Sequence, residues 1–283
     1  MTQIEKTLEQ SEKVTSGPIS RTVISLAVPV VLGMFMEFAL SLTDFYWVSR
    51  LGPTAQDAVT SSMVVMWTIY ALITIVSVGV TALVARYVGA NDLSKVVFYI
   101  KQGMALALLL GGIFTISGYL LAPALLKFMD TGPRTLDLDI PYLRIFFISA
   151  VLFFWQDTIY AVFRASGDTR TPTLVGVSAV VFNMILDPIL IFGFGPIPAM
   201  GVAGASIATA IAVLMAAVVI TALMLKGRLG YQVERAFALR PRFTSMLKIA
   251  RIGIPIASQQ FVFVIVYWFL IKVVHAFGEN AAA

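Results

Sequence analysis

Charged residues fall in clusters along this chain and leave seven long apolar windows between them. Window 22–48 holds only Glu37 and Asp44, and windows 58–85 and 102–126 hold no charge. Window 145–163 contains Asp157 alone, 171–194 contains Asp187 alone, and 201–225 and 252–271 are uncharged. Each reaches the roughly 20 residues that a helix needs to cross about 30 Å of hydrocarbon. A transmembrane barrel would instead alternate polar and apolar residues in segments of about ten. The spacing therefore predicts an all-α integral membrane protein with seven spans. Only 12% of residues are charged and 59% are hydrophobic, against about 25% charged in an average soluble domain. So much apolar surface needs lipid as its solvent.

The net charge is +5. No basic run is long or interleaved with aromatics, so the charge speaks for basic loops on one side of a bilayer and against nucleic acid. Lys and Arg number fifteen in the N-terminal tail and alternate loops, against four in the remaining loops. The excess predicts a cytoplasmic N-terminus and a multi-pass protein of the cell (inner) membrane. No leader peptide is apparent, because the polar stretch 1–21 precedes an apolar window too long for one. Cysteine is absent and His275 is the one histidine. Thiolate chemistry and a His-rich metal site are thereby excluded, and His275 reads as interfacial. The sequence also lacks a phosphate-binding loop, a zinc-protease motif, a dinucleotide fingerprint and a nucleophile elbow. An enzyme is not expected, nor a cofactor, and active transport would draw on an ion gradient.

Residues 29–55 align with 255–281 at a constant offset of 226, matching Pro29 with Pro255, Phe35 with Phe261, Val48 with Val274, Gly52 with Gly278 and Ala55 with Ala281. The seventh helix thus opens a second copy of a six-helix unit, an arrangement transporters use. The organisation read from this is a cytoplasmic tail over 1–21, an N-terminal six-helix lobe over 22–226, a cytoplasmic inter-lobe loop over 227–247, and the start of a C-terminal lobe over 248–283. The chain is expected to be truncated after helix 7 and to lack the rest of that lobe as a partner.

Carboxylates inside the windows cost about 2.5–3.5 kcal/mol each at a helix centre and usually serve function. With the N-terminus inside, Asp44 on helix 1 and Asp187 on helix 5 fall at comparable depth in the outer half. Glu37 is seven residues from Asp44, on the same face, and is a candidate for a substrate cavity. Asn183 stacks one turn before Asp187, and Pro188 frees the Met184 carbonyl inside the membrane. Carboxamide, carboxylate and loose carbonyl together suit a proton or a hard cation. Asp157 lies in the inner half, seven residues from Arg164 on nearly the same face, which fits a structural role as well as a functional one. Thr171 and Pro172 read as the N-cap and first residue of helix 5. Tyr46, Trp47, Tyr142 and Trp155 read as a set containing interfacial aromatics, and the Gly201–Ser206 run as a close-packing face.

Taken together, these motifs resemble the multidrug and toxic compound extrusion (MATE) family. The carriers are Pro29 with Thr-Asp-Phe-Tyr-Trp-Val-Ser-Arg-Leu-Gly at 43–52, Gly79, Ala-Arg-Tyr-Val-Gly-Ala at 85–90, and Arg-Ala-Ser-Gly-Asp-Thr-Arg-Thr-Pro at 164–172. Asn-Met-Ile-Leu-Asp-Pro at 183–188, Gly-Val-Ala-Gly-Ala-Ser-Ile-Ala-Thr at 201–209 and Gly-Ile-Pro at 253–255 complete them. The pattern is most similar to the prokaryotic branch named for the DNA-damage-inducible F protein. The resemblance implies a two-lobe (6+6) secondary antiporter that exports organic cations and other drugs in exchange for H⁺ or Na⁺. It implies a cation or proton-coupling site at Asp44, Asn183, Asp187 and Thr209, with Na⁺ as one possible occupant and no other metal. The alternative is a lipid-linked saccharide flippase of the same superfamily, which would line its cavity with several Arg or Lys.

Cysteines introduced at Ser16 and at Pro198 should label from opposite sides of the membrane. Labelling from one side would overturn the topology.

Overall fold

The computed structural model describes residues 19–129, 131–231, 233 and 240–275, with Ile19, Arg21, Thr22, Ser25, Leu26, Pro29, Val30, Glu37 and His275 described by their backbone alone. Seven helices follow one another: α1 Ile19–Ser49, α2 Pro53–Gly89, α3 Leu93–Phe128, α4 Pro133–Ala165, α5 Arg170–Phe192, α6 Val202–Leu225 and α7 Phe243–His275. All seven are long and apolar enough to cross a membrane. Turns after α1, α3 and α5 lie on one face, here the odd-turn face; those after α2, α4 and α6 lie on the even-turn face.

Several helices outrun their apolar windows. Arg86, Lys95, Lys101, Arg134 and Arg144, which the count above includes among the loop cations, lie within helices. A helix satisfies its own backbone, so nothing obliges it to unwind where the hydrocarbon ends, and long basic side chains reach back to the interface. In the same way α7 begins at Phe243, inside the stretch assigned to the inter-lobe loop. Pro53 and Pro133 occupy the first turns of α2 and α4, where a missing N–H costs nothing. Gly52, with φ 105°, makes the sharp entry into α2 that a side chain would resist. Asp92 caps α3 by accepting from the Lys95 amide at 3.1 Å. The Lys95 side chain and that amide hold its carboxyl below the usual range. The cap of α5 differs from expectation. Asp168, not Thr171, supplies it, taking the Thr171 amide at 2.9 Å and its hydroxyl at 2.5 Å. A carboxylate accepts these donors more strongly than a hydroxyl can.

α2 and α4 form the centre. α4 packs broadly on α3, α2 and α6, while α7 runs along α2 and α1 leans mainly on α5. Helices in lipid gain little from burying apolar area against each other, so small residues at the seams decide how closely they approach. Along α3, Gly103 faces Val80, Gly111 faces the Val151 backbone and Gly118 faces the Phe147 ring. In the 201–206 run, Gly204 lies against the Leu190 carbonyl. Where α2 crosses α7 the contact is reciprocal. A Cβ on Gly79 would stand 2.2 Å from the Ile249 carbonyl oxygen, and one on Gly253 would stand 2.0 Å from that of Ile75.

The connection from α6 to α7 is pinned to the even-turn face. Gln102, buried in α3, donates from Nε2 to the Arg240 carbonyl at 2.9 Å and accepts the Arg242 amide on Oε1 at 2.7 Å. The Tyr231 and Ser166 hydroxyls meet at 2.7 Å. Burial pushes the Tyr231 phenol up to about 12, so it stays protonated at any physiological pH.

The α2–α7 crossing leaves no room for a methyl group. Gly253→Ala should destabilise the chain by about 1–3 kcal/mol, read as a lowered Tm in nanodiscs. Gly112→Ala, whose methyl would meet nothing within 4 Å, should be neutral or slightly stabilising.

Candidate functional site

Asp44 and Asp187 each lie five residues before the end of their helix, about 7.5 Å below the odd-turn face at ~1.5 Å per residue. Because α1 leans on α5, equal depth becomes contact, and the two carboxyl groups lie within hydrogen-bonding reach of each other. Two carboxylates side by side repel, so a shared proton or a cation between them would stabilise the pair. Asp187 is fully buried. Oδ1 of Asp44 and Oδ1 of Asp187 are both buried, and neither receives a donor from the described residues.

Asn183 lies one turn before Asp187 and is likewise buried. In the amide orientation that satisfies both neighbours, it donates to Asp187 Oδ2 at 3.1 Å and accepts the Thr209 amide at 2.9 Å. The Thr209 hydroxyl donates to the Ala205 carbonyl at 3.1 Å. Four of the residues singled out in the sequence are thus brought together on three helices. Glu37 was the fifth, and its side chain lies outside the described residues.

Below the pair lies a cavity of about 630 Å³, reached at Asn183 and Thr209. Such a volume suits a small organic molecule. Trp67, Tyr70 and Phe153 face it, and Gly33, Met34, Leu40 and Ser41 form its α1 wall. Asp157 and Arg164 are the two charged side chains on its described lining. They meet at 3.4 Å, with side chains 32% and 37% exposed. A half-exposed, monodentate pair of this kind is worth about 0.2–1 kcal/mol.

Two further acids were missed in the sequence. Thr135 donates to Asp57 Oδ2 at 2.8 Å, and Ser62 donates to Asp139 Oδ1, tying α2 to α4. All four residues are fully buried. Both lie outside the apolar windows 58–85 and 145–163, so neither was singled out as an acid inside a span. The Gly-Pro pairs at 52–53 and 132–133 carry the signal that would have placed them inside helices. Of the aromatic set that includes Tyr46 and Trp47, Tyr142 and Trp155 make polar contacts within the bundle. Tyr142 is buried within electrostatic reach of Asp44, Asp139 and Asp187, its hydroxyl 3.8 Å from the Met66 sulfur. Trp155 donates to Thr221 at 2.9 Å inside the bundle.

Removing the Thr135 hydroxyl takes a donor from a buried carboxylate. Thr135→Val should cost about 1–3 kcal/mol and Thr135→Ser clearly less, measured by unfolding in a common lipid or detergent.

The MatE family pattern matches residues 29–189, more than half of the chain. The FAD transporter of Shewanella oneidensis is 28% identical over 194 residues, covering 69% of this chain and 43% of its own. The probable multidrug resistance protein YpnP of Bacillus subtilis is 26% identical over 270 residues, covering 95% of this chain and 59% of its own. A solved MOP superfamily transporter from Pyrococcus furiosus superposes with a TM-score of 0.84 at 27% identity, over 95% of this chain and 59% of its own. The chain spans about half the length of these relatives, and the part it matches is their N-terminal lobe. With seven membrane-length helices, the family pattern and the superposition in agreement, the chain belongs to the MatE family of membrane transporters.

Proposed function

We propose that the chain forms the ion-coupling lobe of a secondary antiporter that exports organic cations and other amphipathic drugs in exchange for H⁺ or Na⁺. Within the family it is assigned to the branch resembling the DNA-damage-inducible F protein. The observation that carries the reading is the contact between Asp44 and Asp187 directly above an aromatic cavity. The N-terminus is placed in the cytoplasm, so the odd-turn face looks outward. The lobe is taken as 22–226, the linker as 227–247 and the start of a second lobe as 248–283.

Coupling follows from charge. A proton or Na⁺ entering from outside is held by Asp44 and Asp187, with Asn183 and Thr209 as neutral oxygen ligands and the Met184 carbonyl freed by Pro188 nearby. Occupancy cancels one negative charge at the cavity roof. At ~10 Å and an effective dielectric near 20, one charge is worth about 1.5 kcal/mol to an organic cation, roughly tenfold in affinity. The effect is reciprocal, so a bound cation expels the coupling ion by the same factor. The flippase alternative calls for several cationic side chains facing a diphosphate. The described lining supplies only Arg164, already paired with Asp157.

The test is equilibrium binding of tetraphenylphosphonium to the purified chain in nanodiscs. Adding Na⁺ or lowering the pH should weaken binding to wild type about tenfold. Asp44→Asn, Asp187→Asn and the double variant should lose this ion dependence to a similar extent, because residues acting as one unit are non-additive. Wild-type ion dependence in Asp187→Asn would remove α5 from the mechanism.

A further inference from the structure

The Asp157–Arg164 pair lies outside the proposed ion-coupling site, yet it supplies both charges on the described cavity wall. The two residues are seven apart on α4, so their side chains project from one face toward the same space. One guanidinium nitrogen meets one carboxylate oxygen at 3.4 Å, the long end of a hydrogen bond, and neither side chain is buried. A buried bidentate pair would be a fixed strut. This one is loose and faces an open cavity. Beside it, Gln156 Oε1 is buried with no hydrogen-bond partner among the described residues. Trp67, Tyr70 and Phe153 supply aromatic surface to the same space.

We propose that Asp157 and Arg164 form a charge-exchange subsite, which lets this cavity hold amphipathic aromatic ions of either sign. An organic cation displaces Arg164 from Asp157. An organic anion displaces Asp157 from Arg164. One weak ion pair is broken and one is formed, so the exchange nearly cancels, and burial of the aromatic body against Trp67, Tyr70 and Phe153 decides affinity. The proposal rests on the reading of this cavity as the substrate chamber. It deepens that reading by extending the substrate class from cations to anions of similar shape.

Tetraphenylphosphonium and tetraphenylborate have nearly the same size and opposite charge. Their binding to the purified chain in Na⁺-free nanodiscs at fixed pH, corrected for empty nanodiscs, is the test. Wild type should bind both ions in mutual competition. Arg164→Gln should weaken tetraphenylborate about tenfold while retaining or tightening tetraphenylphosphonium, and Asp157→Asn should do the reverse. The charge-exchanged Asp157→Arg/Arg164→Asp variant should bind both again. Each single variant remains a binder of one ion, so loss of the other cannot be ascribed to misfolding. Parallel losses for both ions, or no change in either, would overturn charge exchange and leave the transport reading standing. Failure of wild type to bind either ion specifically would overturn both.

Discussion

Lipid offers no hydrogen bonds, and every polar group in the seven spans has to find its partner inside the protein. Most hydroxyls solve this on their own helix. Thr43, Thr68, Thr81, Ser117, Ser149, Thr158 and Thr221 each return a bond to a carbonyl on the preceding turn of the same helix. Those bonds cost the bundle nothing in design, because they ask for no neighbour. Bonds between helices are fewer and more informative. Asp57 with Thr135 and Asp139 with Ser62 fix α2 against α4, the two helices on which the others are assembled. Asp44 and Asp187 differ from Asp57 and Asp139 in facing each other, and an Oδ1 of each is buried without a donor among the described residues. A carboxylate that could have been tied down as Asp57 is, but was not, keeps its capacity to bind and release something small.

The two acidic pairs sit in the same half of the bundle and differ in kind. Asp57 and Asp139 each face a neutral hydroxyl on the neighbouring helix. Asp44 and Asp187 face each other, so any change in the proton or cation held there changes the charge of the site. Asn183 and Thr209 connect that change to the cavity, since both touch the dyad's surroundings and the cavity lining. Under the proposed function, coupling needs no long pathway, because the two acids lie directly above the cavity.

The spans were legible because hydrocarbon thickness is a hard length filter, and Asp44 and Asp187 could be paired because depth along two co-directional helices is simple arithmetic. Pro188 next to Asp187 was visible for the same reason, as a proline's effect on its own helix is local. What escaped was set by packing across helices. Tyr142 and Trp155 have amphipathic side chains that suit an interface or a polar contact in the core equally well, and only the neighbours Met66 and Thr221 decide between them. Asp57 and Asp139 look like ordinary end-of-span residues until the bonds to Thr135 and Ser62 are seen. The cap of α5 was misplaced by one turn because Thr-Pro and Asp-x-x-Thr signals overlap at 168–172.

The grip of Gln102 on the linker has a consequence for how this chain can diverge. Both of its bonds go to main-chain atoms of residues 240 and 242, so it reads position and is blind to side-chain identity. Most substitutions at those two residues leave the grip intact. A shift of one peptide at residues 240–242 would present the Gln102 amide with a different carbonyl and a different N–H, so the register in which the chain enters α7 is held by main-chain geometry and not by side-chain identity.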